Sequence, residues 1–155
     1  MGKILSEVKR AYLAGLIDGD GAIMACIERH NEKRFRLRVR ISVKITLSSK
    51  EEIEWIRKIT GIGRIRNNRR TFEWIVRDKK DTEWILSMIK PYTHLKIRQA
   101  RIALNILKHS FDDKDKKSLY KKALLADTLS SFNIRSKNRR KNFATMIKES
   151  ISRND

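Results

Sequence analysis

The sequence predicts an α+β domain: an αββαββα core with an antiparallel sheet, followed by C-terminal helices. Three observations carry this. Arg34 to Ile45 alternates apolar and polar residues with a period of two. Stretches with helical spacing begin behind Ser or Asp caps. No Pro-rich or Gly-rich tract divides the chain, whose 155 residues suit a single domain spanning 1–155.

In chain order, Ser6 to Asp20 reads as a helix with Ser6 as N-cap and Glu7 in its first turn. Ala22 to Arg29 alternates weakly, with Ile23, Ala25 and Ile27 inward and Met24, Cys26 and Glu28 outward. His30 to Lys33 is a polar turn into the long strand. There Phe35, Leu37, Val39, Ile41, Val43 and Ile45 form one face, and Arg34, Arg36, Arg38, Arg40, Ser42 and Lys44 the other. Ser48 or Ser49 caps a second helix, with Glu51 and Glu52 in its first turn, that runs to Gly61. Gly61-Ile62-Gly63 breaks the chain. Arg64 to Asn67 and Thr71 to Arg77 are short strands around the turn Asn68-Arg69-Arg70. Asp81 caps a third helix that Pro91 ends. Ile97 to His109, Ser118 to Ser130 and Phe143 to Ile151 are further helices, with a basic connection over Asn133 to Asn142. Trp55, Trp74 and Trp84 lie on apolar faces and read as core.

Charge narrows the function. Lys and Arg number 37 against 18 Asp and Glu, a net charge of +19. A small domain so charged repels itself, and a polyanion is its natural partner. At 40% hydrophobic residues the chain has a core, which excludes a disordered basic tail. Cys26 is the only cysteine, which excludes a disulfide-stapled domain. No apolar run approaches the ~18 residues of a membrane span, and Met1 to Arg10 lacks the apolar region of a signal peptide. The expectation is an intracellular protein, its compartment left open, with no membrane partner. The cations alternate along a strand instead of lining an amphipathic helix, which favours nucleic acid over a membrane surface. A solubilising sheet surface is the plain alternative.

Leu13-Ala-Gly-Leu-Ile-Asp-Gly-Asp-Gly21 carries the chemistry. Interior glycines each cost a helix about 1 kcal/mol relative to alanine. Ala11, Gly15 and Gly19 are spaced i, i+4, i+8, a stripe that lets another helix approach closely. The motif occurs once, so a second copy in a two-fold dimer would bring identical stripes together. Packing against this chain's own helices is the alternative. Asp18 and Asp20 stand at a helix C-terminus, where the macrodipole disfavours a carboxylate by about 0.3–1 kcal/mol. A divalent cation reverses that balance, and oxygen ligands suit Mg²⁺. A solvent-exposed turn also accommodates Asp-Gly-Asp-Gly. An EF-hand does not, because Arg29 would stand where a bidentate Glu is required.

Leu13 to Gly21 closely resembles the signature of the LAGLIDADG homing endonucleases, departing only at Gly19. The element order and the Lys90-Pro91 to Leu104 segment resemble the single-motif, homodimeric branch. The resemblance covers a core of about residues 6–106, leaving about 107–155 as a helical extension. It implies a homodimer with Ala11, Leu13, Ala14, Gly15, Asp18 and Gly19 at its interface. It further implies Asp20 and the Gly19 carbonyl on a catalytic Mg²⁺, and no small-molecule cofactor. Lys96, and secondarily Lys50, would stabilise charge in the transition state. Asp18 would support the turn more than the metal. Where relatives often place a water-ordering Gln this chain has Leu47, and Thr46 or Ser48 has the outward parity instead.

The resemblance implies that each sheet lies along the major groove of double-stranded DNA, and a two-stranded ribbon fits that groove. Arg36, Arg38 and Arg40 would bridge guanine O6 and N7. Glu28, His30, Asn31 and Ser42 offer other hydrogen-bond patterns, and Met24 and Cys26 suit thymine methyls. Lys33, Arg34 and Lys44 extend the first ribbon. Arg64, Arg66, Asn68, Arg70, Glu73 and Arg77 extend the surface from the second. Arg69, Lys137, Arg139, Arg140 and Lys141 suit phosphates, which position without specifying. A site-specific, double-strand DNA endonuclease with a long, near-palindromic target is the leading reading. A non-cleaving binder such as an intron RNA maturase, and a basic structural protein such as a ribosomal component, are the alternatives.

Overall fold

A computed structural model describes residues 2–109, 111–133 and 142–153. Its elements are α1 (Glu7–Asp20), β1 (Gly21–Arg29), β2 (Leu37–Leu47), α2 (Lys50–Thr60), β3 (Arg64–Asn68), β4 (Thr71–Val76), α3 (Lys79–Ile89), α4 (Ile97–Lys108), α5 (Lys116–Ser131) and α6 (Phe143–Arg153). The αββαββα order is as the sequence predicts. The four strands form one antiparallel sheet in the order β1-β2-β4-β3.

The alternation of each strand decides which face meets the helices. Ile23, Ala25, Val43, Ile45, Trp74 and Val76 are buried and join the cluster formed with Leu13, Ile17, Ile53, Ile56, Leu86 and Ile89. Trp74 is fully buried and donates its indole N–H to the Ile62 carbonyl at 2.9 Å. Trp55 and Trp84 pack against the same cluster half-buried, so all three tryptophans are core or its margin. Helices α4 and α5 lie against β1 and β2, and α6 packs on α5. Among the described residues no helix is long and apolar enough to cross a membrane.

Local chemistry explains most boundaries. The Ser49 hydroxyl accepts the Glu52 N–H at 3.2 Å, and Gly61 ends α2 with a left-handed φ of 70°. Helix α3 begins one turn earlier than expected. Asp78, not Asp81, is its cap, accepting the N–H groups of Lys80 and Asp81 at 2.9 and 3.1 Å. The long strand is also shorter at its start. Residues 30–36 form a loop in which Arg36 takes a φ of 53°, the His30 N–H bonds the Arg36 carbonyl and the Arg36 N–H bonds the Lys33 carbonyl. Phe35 inside that loop is fully buried, and its carbonyl accepts the Ser150 hydroxyl of α6 at 2.7 Å. The alternation therefore continues past the end of the ladder because the C-terminal helices supply a second place to bury Phe35.

Gly21, where α1 turns into β1, has an ordinary φ of −96° but no room for a side chain. A Cβ there would stand 2.6 Å from Ile17 Cα and 2.8 Å from the Ile17 carbonyl oxygen. Gly21→Ala is expected to destabilise the fold by about 1–3 kcal/mol through overpacking against backbone. A lowered midpoint in urea unfolding checks it.

Candidate active site and nucleic-acid interface

The end of α1 gathers most of the residues singled out from the sequence. Leu13, Ala14 and Ile17 are buried on its inner side, whereas Ala11, Gly15, Gly19 and Asp20 are exposed. This corrects the expectation for Leu13 and Ala14. Both are sealed within their own chain and belong to the core, not to an exposed interface. A Cβ built at Gly15 or Gly19 meets nothing within 4 Å, so the glycine stripe serves no packing need inside this chain. Val8 and Leu95 are exposed at 78% and 70%, and Tyr12 is also exposed, so apolar surface accompanies the stripe. Tyr12 stands edge-on to Trp55 at 5.5 Å and donates its hydroxyl to Glu52 at 2.6 Å. That bond, more than burial, holds the phenol above its usual range.

Asp18 is tied to a distant part of its own chain. Its carboxylate accepts three backbone N–H groups at the start of α4, from His94 at 2.7 Å, Leu95 at 3.1 Å and Lys96 at 3.0 Å. Lys96, the N-cap of α4, makes no side-chain cap of its own, so Asp18 supplies that anchor from a distant part of the chain. Within its own chain Asp18 is a structural tether, in line with a supporting role for the turn. The Lys96 ammonium donates to the Asp18 carbonyl, which sets it against the last turn of α1. Asp18→Ala is expected to lower the unfolding free energy by about 2 kcal/mol, because charge-assisted bonds are lost. Urea titration measures this.

Lys50 is exposed at the start of α2 and pairs with Glu54 one turn on at 3.4 Å. Leu47 is half-buried opposite Phe72, and Ser48 is exposed beyond the strand. The Thr46 hydroxyl contacts Glu73 at 3.4 Å.

The outward face of the sheet carries Met24, Cys26, Glu28, Arg38, Arg40, Lys44 and Glu73. The cations are held by acids from neighbouring strands. Glu28 lies within ion-pair distance of Arg38, Arg40 and Arg77. Lys44 pairs with Glu73 at 3.0 Å. That hydrogen bond, opposed by burial, holds the Glu73 carboxyl below its ordinary 4.5. The stabilisation it contributes is present above that ordinary value and is lost as pH falls through the lowered one. Cys26 donates its thiol to the Arg40 carbonyl at 3.6 Å. Burial pushes that thiol up, Glu28 adds to the effect and Arg77 opposes it, so the group stays a neutral thiol at pH 7.

Arg64, Arg66, Asn68, Arg69 and Arg70 are exposed along β3 and its turn. Several candidates stand elsewhere than expected. Ser42 is 2% exposed, with Arg40 and Lys44 flanking it and Met24 opposite, so longer side chains cover it. Lys33 pairs with Asp113 at 3.4 Å, and Arg34 donates to the Lys114 carbonyl at 3.2 Å, so both are turned to the loop before α5. Arg36 is exposed on the 30–36 loop with Asn31, and His30 is half-buried there. Lys137, Arg139, Arg140 and Lys141 lie outside the described residues.

The acid clusters are what sequence reading missed. Four arginines in alternation read as an unrelieved cationic row, yet the hairpin register places Glu28 directly opposite Arg38. Pairing β1 with β2 on paper would have shown that one contact, but not Arg77, which arrives from beyond β4.

An α1 that ends in two carboxylates and a glycine stripe, next to a basic antiparallel sheet, defines the class. Residues 13–105 match the sequence model of the LAGLIDADG endonuclease, and the chain belongs to that family. It is 34% identical to DNA endonuclease I-CvuI of Chlorella vulgaris over 124 residues, 78% of this chain and 77% of that one. It is 29% identical to DNA endonuclease I-CreI of Chlamydomonas reinhardtii over 100 residues, 62% of this chain and 60% of that one. The fold superposes on the crystal structure of I-CvuI bound to the I-CreI target with a TM-score of 0.86 and 30% identity, covering 96% of this chain and 95% of the other.

Proposed function

We propose that the protein is a homing endonuclease that cuts both strands of a long, near-palindromic DNA site as a Mg²⁺-dependent homodimer. The observation that carries this is the end of α1, where an exposed Asp20 and the Lys96 ammonium stand beside an unfilled glycine stripe. I-CvuI, its relative, is a DNA endonuclease with crystal structures on DNA in the presence of 2 mM Mg, where the DNA is not cleaved, and of 2 mM Ca, which supports use of a divalent ion.

The residues present suit such an ion. Helix α1 has no basic residue in its last turn to balance its dipole and instead ends on two carboxylates. Asp18 is committed to α4, which leaves Asp20 and the Gly19 carbonyl as oxygen ligands. Among the described residues no three His, Cys, Asp or Glu side chains gather as a metal site within one chain. The remaining ligands would come from scissile phosphates and from a second copy across a two-fold axis. A divalent ion there supplies charge neutralisation on the phosphate and its leaving oxygen, and activation of the attacking water. Lys96 adds a fixed positive charge near the same phosphate. The sheet arginines hold the duplex and choose the site.

Incubation with a randomised duplex library and Mg²⁺, followed by sequencing of cut ends, tests the proposal. Discrete double-strand cuts at a near-palindromic site are expected. Intact DNA under Mg²⁺ and Mn²⁺ alike would refute the activity.

A further inference from the structure

Glu28 is the hub of a four-residue cluster on the outward face of the sheet. Its Oε2 accepts the Arg38 Nε and Nη2 hydrogens at 3.1 and 3.0 Å and lies 3.1 Å from Arg40 Nε. Its Oε1 lies 3.4 Å from Arg77 Nη2. The three arginines come from two segments that no ladder joins at this level, because the β2–β4 pairing ends at Val43 and Val76. A cleft of about 880 Å³ opens where the strands part, with Arg38, Arg40, Arg64 and Arg77 among its walls. One carboxylate therefore sets the spacing of guanidiniums across a gap in the sheet.

The geometry points to Glu28 as a positioning and specificity-determining residue. It fixes Arg38, Arg40 and Arg77 as one unit before DNA arrives, so that this part of the sheet reads guanine in the major groove. This rests on the sheet docking onto DNA as proposed above.

The chemistry favours reading over mere attraction. An untethered arginine reaches for the nearest phosphate, which binds tightly and carries no sequence information. A tethered one has already given up its rotamer freedom and keeps its direction. Arg40 meets Glu28 through Nε, which leaves its Nη1 and Nη2 fork for an acceptor pair such as guanine O6 and N7. The carboxylate also repels phosphate, lowering the affinity for DNA of any sequence. Its loss should therefore raise one kind of binding while it weakens the other, which simple destabilisation cannot do.

The test compares wild type with Glu28→Gln, without divalent ion, by selecting bound duplexes from a randomised library and competing the selected site against random duplex. For Glu28→Gln, discrimination is expected to fall about tenfold or more, with random duplex bound more tightly and the guanine preference flattened. Unchanged discrimination and an unchanged guanine preference would overturn the assignment of Glu28 alone. Absence of any sequence preference in wild type would overturn the endonuclease reading and this inference with it. Should Glu28→Gln not fold, ¹⁵N spectra of the wild-type arginines decide the matter. A protected, slowly exchanging Nε–H signal is expected from Arg38, which donates it to Glu28, and a signal as mobile as that of exposed Arg69 would refute the tether.

Discussion

Asp20→Asn is expected to abolish cleavage while the protein folds and binds its target as before. Loss of the anionic ligand removes charge stabilisation worth several kcal/mol at the reacting phosphate, or about a thousandfold or more in rate. Stability should move in the opposite direction. Asp20 is exposed at the negative end of α1, and removing its charge relieves about 0.3–1 kcal/mol of unfavourable interaction. The signature is thus an inactive variant with a slightly raised Tm and undiminished DNA affinity. Single-turnover cleavage, fluorescence anisotropy on labelled duplex and thermal unfolding measure the three parts. Cutting by Asp20→Asn at the wild-type rate would remove Asp20 from the site.

Gly15→Leu is expected to turn the proposed dimer into a folded monomer that no longer cuts both strands. Within one chain the substitution is harmless, since a Cβ at Gly15 meets nothing within 4 Å. It even gains up to about 1 kcal/mol of helix propensity. Across a two-fold axis the two new side chains would force the α1 helices apart. At about 1–3 kcal/mol of overpacking per copy, the dissociation constant should rise about a hundredfold or more. Sedimentation equilibrium without DNA, beside a thermal melt, separates lost assembly from lost folding. Wild-type assembly by Gly15→Leu would show that the stripe faces no partner.

The two predictions depend on different levels of what the sequence made legible. Strand parity could be read directly, and the α2 cap to within one residue, Ser48 or Ser49, because both depend on residues within a few positions. So could the separation of Gly15 from Ile17, which follows from the turn of a helix. The motif does not by itself separate its two sides: rotation puts Leu13 nearly opposite the Ala11, Gly15 and Gly19 stripe and Ala14 on its flank, where α1 packs on its own chain. The start of α3 falls one turn before the Asp81 expected as its cap, for a local reason: Asp78 also precedes a plausible first turn. The rest was hidden by distance along the chain. Asp18 finds its donors at residues 94–96, Phe35 is buried by helices that follow residue 115, and Glu28 collects Arg77 from past β4. No periodicity encodes such meetings.

The sparse acid at the end of α1 has a consequence for dosage. Among the described residues of one chain no three His, Cys, Asp or Glu side chains gather as a metal site. If two copies complete the reaction centre, activity below the dimer dissociation constant grows with the square of expression, and halving the supply cuts the nuclease about fourfold. A cell making traces of this protein would then be nearly safe from it, and one making slightly more would not.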